Sequence, residues 1–529
     1  MTVTDRRAWL RAGVLAAGIG AGLFAAPGIA MADDGRGAGT DRNHAPARSH
    51  EPVRRAPTPQ AVKRSRPVVA NPAAAAKSAA ASEPAKIPAA KPVSDKPASD
   101  KPSANTTATR PVGPIKSAVL AAKAYVYGYP LMEYQRVRQT VGEVNTLFSL
   151  TSFANPDVDP IWQAIGGGKR PNVDTFYSLA ELDLSNGPVV LSIPDMGSRY
   201  FSFQLTDPYT NVSGYIGSRT TGYGPGKYAI TWTGGPEVDI PGTQTVLVPY
   251  SSMMALGRTL AGDEADQQTA IELIKQYSLN PSGGAVSPVI PIPKPGVGYL
   301  DAISAGIELN PPPAIDGPEL AELAQIGVGP GLRVADANLG LLSTVAVELA
   351  VRSTAALLPL VVSVNQYAAA LGHRGWATPN PEIGDYGTDY LFRAGVAQAG
   401  LLANTPDEAV YSAGLLSKNL MPLRGWGTRP YLLHFEPGEL PPVDAFWSVT
   451  VYDKDGYLVP NPEHRYSVSS SRPEELVYRP DGSLDILFAL RDPGDPGANW
   501  LKVPAGGRFS AYLRMYWPQE PILDGTWQQ

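Results

Sequence analysis

The groups available for proton transfer in this chain are mainly carboxylates and tyrosines. The 529 residues contain no cysteine, which excludes a thiolate nucleophile, a disulfide and a cysteine-ligated metal. Of the five histidines, His373, His434 and His464 lie far apart, and the other two precede residue 51, so none has metal-ligand spacing. The Gly-x-Ser-x-Gly elbow, the Walker loop and the dinucleotide fingerprint are also absent. The sequence therefore predicts no metal and no other cofactor.

Two aspartates are the predicted catalytic residues, Asp174 and Asp207. Asp174 follows Asn172 at the start of a predicted strand, where the aspartate would transfer a proton while the asparagine orients a substrate hydroxyl. The alternative is that both side chains only hydrogen-bond the backbone of their own turn. Two carboxyl groups that flank one bond, about 5 to 10 Å apart, would suffice for glycoside cleavage.

Arginine, tyrosine and asparagine side chains complete the predicted site. Arg199 either holds a ligand together with Asp207 or forms an internal ion pair near the strand ends. Aromatic faces can stack on sugar rings, while asparagine and arginine donate to hydroxyl groups. The predicted substrate-binding residues are Asn172, Tyr177, Arg199, Tyr200, Arg219, Arg465 and Tyr516.

The last predicted strand has two faces of different character. By its two-residue period, one face carries Tyr512, Arg514 and Tyr516, and the other carries four apolar residues from Phe509 to Met515. The apolar face is predicted core. The other face is either solvated or a binding platform.

The elements that must position these residues run in the order β, α, β. Alternating patterns predict strands at 199–205, 446–452, 484–490 and 509–515. Asp453-Lys454-Asp455-Gly456 predicts a hairpin turn; it also resembles the start of a calcium loop, without the remaining ligands. Helices are predicted at 263–277 and at 336–371, the second with a break at Pro359. The capping pattern from Thr405 to Glu408 predicts a short helix through Tyr411.

The start of the chain predicts export. Arg6-Arg7-Ala8-Trp9-Leu10 precedes an apolar stretch that ends in Ala30-Met31-Ala32, which is typical of a cleaved twin-arginine signal over residues 1–32. A retained membrane anchor is the alternative, and no span is expected after cleavage. We therefore expect a secreted, periplasmic or cell-envelope location.

A tether is predicted between the signal and the folded part. Residues 33–112 contain no Phe, Trp, Tyr, Leu or Met, so this Ala/Pro/Lys-rich linker cannot bury a core and is predicted to be disordered. Residues 1–112 carry a net charge of +9 within a chain of −5, which leaves −14 for residues 113–529. An acidic body is not expected to bind nucleic acid, whereas the basic linker could contact anionic cell wall.

Two groups of motifs resemble known families. The first contains Ala124-Tyr125-Val126-Tyr127-Gly128-Tyr129-Pro130, then 171–178 and Asp207-Pro208-Tyr209-Thr210-Asn211, and resembles the bacterial domain of unknown function 1254. The second contains Pro441-Pro442-Val443-Asp444-Ala445-Phe446-Trp447, then Asn461-Pro462 and Asn499-Trp500, and resembles its partner, domain of unknown function 1214. The resemblance implies two β domains joined by helices in an exported protein, but no established reaction. The histidine that often follows the equivalent of Asn145 is missing here.

The predicted fold class is mainly β with a helical middle, in which two β-sandwich or jelly-roll-like domains are joined by helices. The predicted boundaries are 113–262 for the N-terminal β domain, 263–400 for the helical region and 401–529 for the C-terminal β domain. The expected function is carboxylate acid/base chemistry by a hydrolase or lyase on a small-molecule or polysaccharide ligand. The alternative is a non-catalytic binding or structural module of the envelope.

Overall fold

The computed structural model describes residues 112–156, 169–236, 238–284, 288–378, 380–427 and 430–528. The predicted signal at 1–32 and the predicted linker, up to residue 111, lie outside the described residues. All the described residues belong to one compact unit.

The N-terminal β unit has two sheets, one of five strands and one of four. The five-stranded sheet has the order β1-β2-β8-β4-β5, and the four-stranded sheet has the order β7-β6-β3-β9. Apolar side chains of both sheets, such as Phe176, Phe203, Leu191 and Tyr228, share one core, so the sheets form a sandwich. The strands are β1 Phe148–Leu150, β2 Thr175–Asp183, β3 Val189–Ile193, β4 Phe201–Thr206, β5 Val212–Gly217, β6 Gly226–Trp232, β7 Gln244–Val248, β8 Ser252–Leu260 and β9 Ser278–Pro281.

The C-terminal β unit also has two sheets, with the orders β10-β11-β17-β13-β14 and β12-β15-β16. Trp447 and Leu513 of the first sheet share a core with Phe435 and Ile486 of the second. The strands are β10 Trp376–Ala377, β11 Ala409–Gly414, β12 Tyr431–Phe435, β13 Val443–Asp453, β14 Ser467–Ser469, β15 Leu484–Ala489, β16 Asn499–Lys502 and β17 Phe509–Pro518. The prediction of β structure on both sides of a helical middle is confirmed.

Eight helices occur among the described residues, and several of them pack against one another in a helical layer. They are α1 Pro114–Val141, α2 Ser218–Thr221, α3 Glu264–Ile274, α4 Val297–Leu309, α5 Gly317–Leu323, α6 Leu341–Gly372, α7 Tyr390–Gly400 and α8 Glu520–Leu523, with 3-10 turns at Ala314–Asp316, Ala324–Ile326, Val334–Ala337 and Pro473–Glu475. The long helix α1 lies inside the stretch predicted as the N-terminal β domain. It packs against α4, α6 and α7, so it belongs to the helical layer.

Helix α6 continues through Pro359, so the predicted break there is wrong. An internal proline removes one backbone hydrogen bond, at about 3 kcal/mol. Helix α6 packs along α1 and α7, and we attribute its continuity to this packing. In the described part of the chain, α6 is the one helix whose length and apolar composition would let it cross a membrane.

The short helix predicted after Thr405 is also wrong, because Ala409–Gly414 forms strand β11. Strand β11 pairs with β17 along its whole length, and this pairing outweighs the local capping signal. The predicted turn at Asp453 is confirmed. Its Oδ1 accepts hydrogen bonds from the backbone N–H groups of Asp455 and Tyr457, and Gly456 has a φ of 90°.

Candidate functional site

A cavity of about 960 Å³ lies at the junction of the two β units and the helical layer. Its walls come from β2 and β8 of the N-terminal unit, β11 and β17 of the C-terminal unit, and helices α6 and α7. This volume lies in the range of small-molecule sites, which favour such junctions between structural units. We call it the junction cavity.

The two faces of the last strand, β17, are divided as the sequence predicts. Phe509, Ala511, Leu513 and Met515 belong to the core of the C-terminal sandwich. Tyr512, Arg514 and Tyr516 line the junction cavity, although each side chain is at least 90% buried. The polar face is therefore turned toward the N-terminal unit rather than toward bulk solvent.

Three tyrosine hydroxyls in the cavity each accept a hydrogen bond from an N–H group. The side-chain amide of Asn172 donates to Tyr516 over 2.6 Å, and that of Asn404 donates to Tyr411 over 2.8 Å. The backbone amide of Asn172 donates to Tyr177. The hydroxyl of Tyr411 also accepts from the backbone N–H of Asn404 over 3.4 Å. Among the described residues, neither the hydroxyl of Tyr411 nor that of Tyr516 donates a hydrogen bond, so each keeps a proton that it can donate.

Burial keeps the hydroxyls of Tyr177 and Tyr516 protonated. It raises the pKa of Tyr177, although the nearby guanidinium groups of Arg258 and Arg514 oppose the shift. Burial, together with the neighbouring tyrosines, raises the pKa of Tyr516 well above its usual range. Both side chains are therefore neutral donors at physiological pH.

Two buried arginines complete the polar part of the cavity. Arg258 on β8 donates to the side chains of Gln204 and Asn404 and to the backbone oxygen of Leu402, over 2.8 to 2.9 Å. Arg514 donates through Nη2 to the backbone oxygen of Arg170 over 2.7 Å. Burial disfavours both charges, but the tyrosines around them outweigh this, and the pKa of each guanidinium is raised.

The structure does not bring the two predicted catalytic aspartates together. Strand β8 lies between β2 and β4 and serves as a ruler for the two positions. Asp174 is hydrogen-bonded to Ala261, directly after β8, whereas the residue before Asp207 pairs with Met254, near the start of β8. That offset along the strands corresponds to roughly 20 Å. Neither aspartate lines the junction cavity.

Both aspartates have polar partners elsewhere. Asp174 accepts from Ser467 over 3.1 Å and from Arg472 over 3.4 Å, which links the two β units. The Oδ1 atom of Asp207 accepts from the backbone of Tyr209 and Asn211, and burial raises its pKa to about 6. Asp207 therefore stabilises its own turn, and the alternative prediction of an ion pair with Arg199 is wrong, because Arg199 pairs with Asp266.

The other predicted substrate-binding residues divide between the cavity and structural contacts. Asn172, Tyr177 and Tyr516 line the junction cavity. Arg199 forms an ion pair with Asp266 of α3 at 2.8 Å between Nη1 and Oδ2, and not with Asp207.

The remaining three lie outside the cavity as well. Tyr200 and Arg219 both donate to the buried carboxylate of Glu408, over 2.6 and 2.7 Å. The backbone N–H of Arg465 donates to Asn461 in a surface turn.

Several cavity residues were not predicted from the sequence, among them Arg258, Tyr411 and Ser412. One signal was available, because Arg258 is the lone charge in the strand Ser252–Leu260, which is otherwise apolar or small. A charge in such a strand indicates a specific partner. No group of three or more potential metal-ligating side chains occurs among the residues that the structure describes.

Comparison with solved structures supports the fold. The VPA0106 protein from Vibrio parahaemolyticus has a TM-score of 0.57 and 22% identity, covering 78% of this chain and 98% of its own. An uncharacterised protein from Burkholderia cenocepacia has a TM-score of 0.41 and 12% identity, covering 77% of this chain and 91% of its own. No curated protein matches the chain.

Two family models match the two β units. The first, a protein of unknown function called DUF1254, matches residues 159–281, within the N-terminal unit. The second, a protein of unknown function called DUF1214, matches residues 408–520, within the C-terminal unit. The chain therefore contains a DUF1254 domain followed by a DUF1214 domain, and the junction cavity takes residues from both.

Proposed function

We propose that the chain is an exported enzyme of the hydrolase or lyase type that acts on a hydroxylated small molecule in the junction cavity. The observation that carries this proposal is the pair of cavity-lining tyrosines, Tyr411 and Tyr516, each of which accepts a side-chain amide hydrogen bond. Each hydroxyl is held in place by its asparagine and retains its own proton for a substrate oxygen.

The proposed chemistry is proton donation to a leaving oxygen. As a C–O bond of the substrate breaks, the phenolic proton of Tyr516 or Tyr411 passes to the departing oxygen, and the tyrosinate is stabilised by Arg258 and Arg514. In hydrolysis, water supplies a hydroxide to carbon and returns a proton to the tyrosinate. In a lyase, the proton comes from the carbon next to the broken bond. In this proposal, tyrosines take the catalytic role that was predicted for Asp174 and Asp207.

A second candidate function is non-catalytic binding. It is favoured by the scarcity of carboxylates in the cavity, because Asp389 is the only acidic residue among the described lining residues. Its Oδ1 accepts from the backbone of Phe392 as the N-cap of α7. With that carboxylate already engaged, the cavity lacks an obvious carboxylate base.

The experiment compares Tyr411→Phe, Tyr516→Phe and the double variant with the wild type on a panel of glycosides, uronides and hydroxy acids. Tyr478→Phe is the matched control, because this tyrosine is 45% exposed and lies outside the cavity. We expect turnover to fall about 100-fold or more in the cavity variants and to be unchanged in the control. If the wild type binds a panel compound but converts none, the binding function replaces the enzyme.

The location is part of the same proposal. The twin-arginine signal would place the protein in the periplasm, the cell envelope or the medium, and the basic linker would contact anionic cell-wall polymer. Support for both comes from the sequence of residues 1–112.

A further inference from the structure

The buried arginines of the chain differ in whether a carboxylate accompanies them. Five are buried in the described part of the chain: Arg138, Arg258, Arg393, Arg472 and Arg514. Three of them form ion pairs: Arg138 with Glu181 at 3.4 Å, Arg393 with Asp316 at 3.9 Å, and Arg472 with Asp174 at 3.4 Å. The other two, Arg258 and Arg514, have no carboxylate within ion-pair distance among the described residues. These two are also the ones that line the junction cavity.

The absence of a carboxylate near Arg258 and Arg514 has an energetic cost. A buried charge without an opposite charge is costly, and proteins rarely keep one unless a ligand or partner supplies the counter-charge. The chain contains more acidic than basic residues, 49 against 44, so carboxylates are not scarce. Nevertheless the described lining of the cavity holds five basic residues, Lys169, Arg170, Arg258, Arg374 and Arg514, and a single acidic one.

Two buried donors in the cavity also have no acceptor. The Nη1 atom of Arg514 and the hydroxyl of Ser412 are both enclosed and have no hydrogen-bond partner among the described residues. Both residues line the cavity, on the neighbouring strands β17 and β11. Arg258, by contrast, already uses both terminal nitrogens for protein acceptors. One free guanidinium nitrogen with adjacent hydroxyls suits a singly charged anion better than a phosphate dianion.

The remaining wall of the cavity is mostly apolar. Helices α6 and α7 contribute Val361, Val362, Leu391, Phe392 and Val396. A volume near 960 Å³ exceeds what a carboxylate group alone would fill, so the rest of the ligand must present apolar surface to these helices.

We infer that the junction cavity binds an organic monocarboxylate with an apolar body. Its carboxylate accepts hydrogen bonds from Arg514 Nη1 and from the hydroxyls of Ser412, Tyr411 and Tyr516. Arg258 supplies a second positive charge nearby. The inference rests on the proposed function only in taking the junction cavity as the ligand site.

The test uses decanoate as the probe and decanamide as its neutral isostere, with thermal unfolding of the full chain as the measurement. Decanoate at saturating concentration should raise the Tm by about 3 °C or more, and decanamide should not. Arg514→Met should abolish the decanoate shift. The control Arg352→Met, at an exposed arginine on α6 that does not line the cavity, should keep the shift.

Three outcomes would overturn the inference: equal shifts with decanoate and decanamide, an unchanged decanoate shift in Arg514→Met, or an equal shift with inorganic phosphate. Galacturonate, a carboxylate with a polar body, is a further probe. If it raised the Tm as much as decanoate does, the inference that the ligand has an apolar body would be wrong. If Arg514→Met fails to fold, Ser412→Ala provides the second variant, with an expected loss of about tenfold in affinity for decanoate.

The two proposals fail separately. A decanoate shift that depends on Arg514, without turnover of any panel compound, would remove the enzyme and keep the carboxylate site. Turnover of neutral glycosides that depends on Tyr516, without a decanoate shift in the wild type, would keep the enzyme and remove the carboxylate site.

Discussion

The side-chain amide of Asn172 donates a hydrogen bond of 2.6 Å to the hydroxyl of Tyr516, across 344 positions of the chain. The donor lies in the DUF1254 domain and the acceptor lies in the DUF1214 domain. The Oδ1 atom of the same asparagine accepts from the backbone of Asp174 over 2.6 Å, so the amide group is fixed at both ends. The position of the Tyr516 hydroxyl in the cavity therefore depends on the correct docking of the two domains.

Asn172→Ala is expected to reduce turnover about tenfold or more, because Tyr516 loses the group that holds its hydroxyl in place. The stability loss should be about 1 to 3 kcal/mol, since the variant also removes an acceptor from a buried backbone amide. Asn172→Asp is the informative companion, because it keeps the acceptor but replaces the donor amide with a carboxylate. Equal turnover in Asn172→Ala and the wild type would contradict the positioning role.

The buried arginines should respond differently to the same substitution. Arg393→Met leaves the carboxylate of Asp316 without its cation and is expected to cost about 3 to 5 kcal/mol of unfolding free energy. Arg514→Met leaves no carboxylate behind and removes a buried charge, so we expect a loss of less than about 1 kcal/mol, or a gain. Urea unfolding of the ligand-free proteins measures both. A loss in Arg514→Met as large as that in Arg393→Met would contradict the view that its charge serves a ligand.

Asp207 should make the protein less stable as the pH rises. Burial raises its pKa from an ordinary value of 3.8 to about 6, so between these values the folded chain holds a proton that the unfolded chain releases. The contribution to stability is therefore lost as the pH rises through this window and stays lost above it. Asp207→Asn keeps the turn acceptor and should flatten the curve of unfolding free energy against pH.

The control for this prediction is Asp385→Asn, which makes the same change of charge at an exposed position. Its pH curve should follow that of the wild type. The Asp207→Asn variant also tests the catalytic role predicted for this residue. We expect it to retain turnover, since the Asp207 side chain does not line the cavity.

Export should depend on the arginine pair at the start of the chain. Changing Arg6 and Arg7 together to lysine is expected to leave the protein inside the cell, because the twin-arginine receptor reads this pair. Fractionation followed by immunoblotting measures the distribution. In the exported protein, limited proteolysis should remove residues 33–112 before it cleaves the remainder. Unchanged secretion of the lysine variant would refute the predicted pathway.

The sequence predicts individual strands well because their signal is local. The two-residue alternation identifies β13, β15 and β17, and it separates the core face of β17 from the face with Arg514. The helix α1 shows the opposite case. Tyr125, Tyr127 and Tyr129 alternate as in a strand, while Gly128 and Pro130 argue against a helix, yet packing on all sides makes the segment helical.

The site itself could be predicted only in part. Asn172, Tyr177 and Tyr516 line one cavity, but nothing local in the sequence indicates that β2 faces β17. Arg199 illustrates the difficulty. Its predicted partner is Asp207, which is close in sequence, but in the structure it pairs with Asp266 on α3. Partner choice depends on tertiary docking, which sequence spacing does not specify.

Strand β17 is the last strand among the described residues, and it lies at the centre of its sheet, between β11 and β13. A ribosome must therefore release the chain through β17 before the C-terminal sandwich can close. Until then the edges of β11 and β13 stay unpaired, and the tyrosines of β17 are not yet in place. A stop codon or a proteolytic cut before residue 509 would leave no smaller working version of the protein. The predicted twin-arginine pathway, which carries folded cargo, would then export only those chains in which β17 has been completed.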